Sequence, residues 1–185
     1  MVVWNLIPLL ALVGNAFATA YPPKNAACAK LDIVFTGLPP YHPLVVQQGF
    51  NSSVIDATLR ADAANIIKAG YNLRVVLMGP EQNLSVLAGQ MEGNHWDGTG
   101  IGYGVRGAHL PELTIRLEDI IKLYHSRAPN ASLMFDYSSD SALWAIKRRV
   151  PLASNCTDSP GKDLGFNVFC DIYNARLLKK QMSWG

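Results

Sequence analysis

The sequence predicts a doubly wound α/β domain, a three-layer sandwich with a mainly parallel sheet of four strands, or five, between two helical layers. Three observations carry this. Four short apolar runs recur along the chain, each closing on glycine or a turn residue. Between them lie stretches whose apolar residues repeat every three to four positions, the helical spacing. The length, 185 residues, suits one domain with a substantial core. Continuous apolar strands mean burial on both faces, as in parallel sheets. Right-handed crossovers then give the expected strand order 2-1-3-4.

After a lead rich in Pro and Ala (YPPKNAACAK), LDIVFTG at 31–37 reads as the first strand, stopped by Gly-Leu-Pro-Pro. A helix is predicted over 53–69. Ser53 and Asp56 stand at capping-box spacing, Ile55, Leu59, Ala63 and Ile66 form one stripe, and Gly70 ends it. LRVVLMG at 73–79 is the second strand, followed by a short helix over 81–91. WDGTGIGYG at 96–104 is the third strand. The helix over 111–127 opens on Pro111 and buries Leu113, Leu117, Ile120, Ile121 and Tyr124. Its Glu118 and Asp119 read as solvated partners of Arg116 and Lys122. ASLMFDY at 131–137 is the fourth strand, and Ser139 is expected to cap a helix ending at Arg149. The α/β domain thus spans 31–151. The extension, 152–185, admits two readings: GFNVFC as a fifth strand with a helix over 171–182, or a disulfide-tied tail.

Charge and composition narrow the function classes. Charged residues make up 16% and the net charge is +2, too little to imply a nucleic-acid partner. Lys147, Arg148 and Arg149 close a predicted helix, where cations complement the dipole. Residues 1–20 carry no charged side chain and hold an apolar run too short to span a bilayer, followed by small-residue cleavage patterns. They read as a secretory signal peptide, which leaves no transmembrane segment in the mature chain. Sequons at Asn51, Asn83, Asn130 and Asn155 exceed the roughly one expected by chance. Both lines point to secretion or the secretory lumen; a cytoplasmic protein is the alternative if the N-terminal segment is not a signal. Of three cysteines, Cys156 and Cys170 flank one loop and are the expected disulfide, with Cys28 left over or competing. No spacing suggests a metal site.

The stretches TGLPP, GIGYGVRG, PELTIRLEDII and SALWAIKR resemble small α/β proteins found mainly in fungi, with a flavodoxin-like or half-Rossmann arrangement. The resemblance spans 32–151. It implies the fold and brings no activity with it.

In an open parallel sheet, ligands bind beyond the carboxyl ends of the strands where strand order reverses. For order 2-1-3-4 that point lies between strands one and three. The loops arriving there carry Tyr41, His42, Gly102, Tyr103, Gly104, Arg106, Gly107 and His109, and strand four adds Asp136, Ser138 and Ser139. Arg106 beside glycine-rich backbone suits a small anion, so Tyr41, Gly102, Gly104, Arg106, Gly107, Ser138 and Ser139 are the expected binding residues. His42, His109 and Asp136 are the candidates for acid–base chemistry, as in a hydrolase or transferase that also uses Ser138. A non-catalytic interaction protein, with 152–185 as its contact surface, is the third reading.

GYGVRG matches G-x-G-x-x-G, yet it follows the third strand instead of the first, and Gly107 stands outside the following helix. Asp136 also comes well beyond the roughly 20 residues at which the dinucleotide pattern puts its acid. No dinucleotide, and no other cofactor, is expected. Gly98, Gly100 and Gly102 alternate on one side of the third strand, which suits close packing of a helix or a shallow space under a ligand.

Overall fold

The computed structural model describes residues 27–153, 155, 156 and 158–170. The predicted signal peptide and the helix expected over 171–182 lie outside them. The elements run β1 (Asp32–Gly37), α1 (Pro43–Gln47), α2 (Ser52–Lys68), β2 (Asn72–Met78), α3 (Ser85–Met91), β3 (Gly98–Ile101), α4 (Tyr103–Arg106), α5 (Pro111–Arg127), β4 (Ser132–Phe135), α6 (Ala142–Arg149) and β5 (Asp163–Phe169).

All strand pairs are parallel, and the order is β4-β3-β1-β2-β5. This is the expected 2-1-3-4 arrangement with β5 added outside β2, so the fifth-strand reading of 165–170 holds. One face of the sheet packs Ile33, Phe35, Leu73, Val75 and Met134 against Ala63 and Ile66 of α2 and Ala145 and Ile146 of α6. The other packs Val34, Val76 and Ile101 against α3 and α5 through Leu87, Leu113, Ile120 and Tyr124. The Tyr124 hydroxyl donates to the Gly100 carbonyl at 3.1 Å, tying α5 to β3.

Alternating glycines in β3 are filled by neighbouring side chains rather than by a helix. A Cβ on Gly100 would lie 2.1 Å from the Phe35 ring, and one on Gly98 would lie 2.5 Å from Met134 Cε. Phe35 and Gly100 are register partners, so the bare strand lets the ring lie across it.

Three local expectations change. First, Asn51, not a Ser53–Asp56 capping box, caps α2. Its Oδ1 accepts from the Ser53 and Val54 amides at 3.1 and 3.3 Å, while Asp56 pairs with Arg60 at 2.9 Å. Second, residues 103–106 leave the strand and form the single turn α4, because the Val105 and Arg106 amides return to the Gly102 carbonyl. Third, α6 starts at Ala142 rather than at a Ser139 cap. The Ser141 hydroxyl holds a preceding turn by accepting from the Tyr137 and Ser138 amides, both at 2.9 Å.

Cysteine pairing is a further correction. Cys28 is bonded to Cys156, so the expected Cys156–Cys170 bridge does not form. The reason is topological: β5 carries Cys170 to the carboxyl edge of the sheet, where it is buried, about 20 Å from where the strand began. Cys156 stays at the amino edge. There Gly70, at φ +99°, lies under the Cys156 Cβ, and the Ala29 amide donates to the Gly70 carbonyl at 2.8 Å. Gly161 belongs to the same knot, since a Cβ on it would meet the Tyr71 carbonyl oxygen at 1.9 Å. A disulfide of this kind fits an oxidising compartment. No helix among the described residues is long and apolar enough to cross a membrane.

Candidate functional site at the carboxyl edge of the sheet

A cavity of about 360 Å³ lies at the carboxyl edge, at the β1–β3 switch point, within the size range of small-molecule sites, about 300–1,000 Å³. Its floor is Phe35, Leu73, Val75 and Leu77 of the sheet, and one wall is Ile55, Leu59, Ala63 and Ile66 of α2. The stripe that marked α2 as a helix is therefore also a cavity wall. Gly37, Gly102, Gly104 and the turn of Tyr137, Ser138 and Ser139 form the mouth, and Phe166 of β5 adds a ring. At the rim, exposed Tyr137 meets Trp144 edge-on, with ring centroids 5.1 Å apart.

Two carboxyls line this largely apolar space, Asp62 and Asp136, and no Lys, Arg or His is among the lining residues. Asp136 follows β4 and is 3% exposed. Its Oδ1 is buried and has no hydrogen-bond partner among the described residues. Burial raises this carboxyl to about 7, against the opposing pull of the Tyr103 amide and the Arg106 charge, and the neighbouring Asp62 charge adds to the rise. A carboxyl in this setting exchanges a proton near neutrality.

Asp62 is the site residue that sequence reasoning missed. It is buried on α2, and its Oδ2 accepts from the Ala142 and Leu143 amides at 2.8 and 3.3 Å. It thus caps α6 from another helix. Burial raises its carboxyl too, and the two amides oppose that. The signal was an acid inside an apolar stripe, beside Ala63 and one turn from Leu59 and Ile66.

Of the expected site residues, Gly102, Gly104, Asp136, Ser138 and Ser139 come together around the cavity, and Tyr41, His42, Arg106, Gly107 and His109 are not among its lining residues. Arg106 supports the site from outside. Its Nε donates to the Asp136 carbonyl at 3.1 Å, and its guanidinium stacks 5.2 Å from the Tyr103 ring centroid. Gly107 closes α4, and its missing Cβ makes room for the same ring. His42 is buried and spent on structure: Nδ1 accepts from the Leu44 amide, capping α1, and Nε2 lies 3.0 Å from Glu81 Oε2. His109 and Tyr41 are exposed. An acid–base set of His42 or His109 with Asp136 is therefore not assembled.

Arg116 also departs from expectation. It is buried, with Nε and Nη2 unpartnered among the described residues. Three of the four sequon asparagines, Asn51, Asn83 and Asn130, are exposed beside helix or strand starts, and Asn155 is exposed in the loop holding Cys156. Among known proteins, the chain matches no family model, no curated protein and no solved structure. The class that can be stated is therefore set by fold and site alone: a doubly wound α/β domain with an apolar, carboxyl-bearing cavity at its switch point.

Proposed function

We propose that this protein binds a small molecule with an apolar body and a polar head in the carboxyl-edge cavity. The observation that carries the reading is the buried Asp136 carboxyl, which belongs to the lining of a largely apolar cavity and whose Oδ1 has no partner among the described residues. A buried acceptor without a partner costs about 1–3 kcal/mol, and a ligand donor there offsets that cost. Burial of the ligand body against Phe35, Leu59, Ile66 and Val75 adds about 25 cal/mol per Å² of apolar surface removed from water.

The anion reading rested on Arg106, whose guanidinium is engaged with the Asp136 carbonyl and Tyr103. With two carboxyls and no cationic side chain in the lining, a neutral or cationic ligand is favoured over an anion. Secretion is part of the proposal: the Cys28–Cys156 bond and the exposed sequons support it. The test of binding is a thermal-shift and calorimetric screen of apolar alcohols, amides and amines. Ligands whose effect disappears when Ala63→Phe fills the cavity support the reading. Binding that survives this filling refutes it. Sensitivity of protein expressed in a eukaryotic secretory host to peptide N-glycanase tests the glycosylation.

A further inference from the structure

The head group of the ligand is set by what surrounds Asp136. We propose that the cavity takes an organic amine, whose ammonium group pairs with the Asp136 carboxyl while its apolar body lies between α2 and the sheet; this rests on the small-molecule reading above.

Four observations converge. Asp136 Oδ1 is a buried acceptor without a protein donor, and an ammonium supplies donor and charge together, which strengthens the hydrogen bond about twofold. A second carboxyl, Asp62, stands in the same lining and repels Asp136; a cation between or beside them relieves that repulsion. The lining holds two acids and no cation of its own, so a carboxylate or phosphate would meet like charge there. Aromatic rings of Phe35 and Phe50 belong to the same lining, and ring faces attract ammonium groups; the Tyr103 and Phe166 rings already carry Arg106 and Arg60. The charged groups that act on Asp136 are Asp62 from α2 and Arg106 from α4. Arg106 tempers the site without entering it, because its Nε is held by the Asp136 carbonyl.

The test uses three probes of one shape, 2-phenylethylamine, 2-phenylethanol and phenylacetate, titrated calorimetrically into the full chain at pH 8, with the Asp136→Asn variant in parallel. The amine is expected to bind roughly tenfold tighter than the alcohol, with phenylacetate weakest. In Asp136→Asn the amine loses its advantage over the alcohol. If the alcohol or phenylacetate binds as tightly as the amine, the amine inference is overturned and the small-molecule reading stands. If the amine keeps its full advantage in a folded Asp136→Asn, Asp136 is not the partner and the inference is likewise overturned. If no probe binds at millimolar concentration, both fail. The ranking in the unmodified chain decides the matter even where the variant does not fold.

Discussion

Replacing Asp136 by Asn should turn a pH-dependent stability into a flatter one. In the unfolded chain this carboxyl ionises near 3.8, and in the folded protein burial raises it to about 7. Between those values the folded state holds a proton that the unfolded state has released. Unfolding therefore releases a proton, and stability falls as pH rises from about 4 to about 7, then levels off. Three units at about 1.4 kcal/mol each give a loss on the order of 4 kcal/mol, an upper bound if water reaches the charged form. Asparagine keeps the shape and an acceptor for the Tyr103 amide but carries no charge. The variant should match the parent near pH 4 and exceed it by up to about 4 kcal/mol at pH 8. Asp62, raised in the same direction, contributes to both proteins and largely cancels in the difference. Urea unfolding at pH 4.5, 6 and 8, followed by tryptophan fluorescence, measures it. Parallel pH profiles, or a variant weaker than the parent at pH 8, would refute the reasoning: Asp136 would then be ionised and well paired in the folded protein.

Other consequences concern packing and cross-links. Gly100→Ala drives a Cβ into the Phe35 ring and should cost about 1–3 kcal/mol, partly recovered by adding Phe35→Leu; an unchanged denaturation midpoint would argue against the packing described. Asp62→Ala should cost about 1–2 kcal/mol through the lost cap of α6, with faster amide exchange at Ala142 and Leu143, and Asp62→Asn less, since its amide oxygen still accepts. Peptide mapping without reduction should recover Cys28 joined to Cys156, and removing that bond, which spans 128 residues of sequence, should cost on the order of 4–5 kcal/mol in the chain-entropy account. A Cys156–Cys170 peptide would contradict the strand placement.

What was legible in the sequence is what local pattern encodes. Apolar strands, the stripe Ile55-Leu59-Ala63-Ile66, and Pro111 at the start of α5 follow from neighbours in the chain, and the switch point follows from strand order. Pairings across long separations were not legible. Asp62 caps a helix 80 residues away, which no helix-start signal near Ser139 reveals. The Cys28–Cys156 bond depends on the chain crossing from α6 to the far edge of the sheet before forming β5. Arg116 has polar neighbours on its helix and reads as a surface residue, yet it is buried. Arg106 arrives at the switch point as expected. The α4 turn then aims it at the Asp136 carbonyl, which leaves it outside the cavity lining.

The central claim is that ligands enter between α2 and the sheet. Its most direct test is methyl-resolved NMR of the full chain titrated with 2-phenylethylamine. The account predicts saturable shifts, and cross-peaks from the ligand ring, at the methyls of Leu59, Ile66, Leu73 and Val75. Shifts confined to exposed methyls such as those of Val46, Val54 and Ile115, with none at the cavity floor, would contradict it.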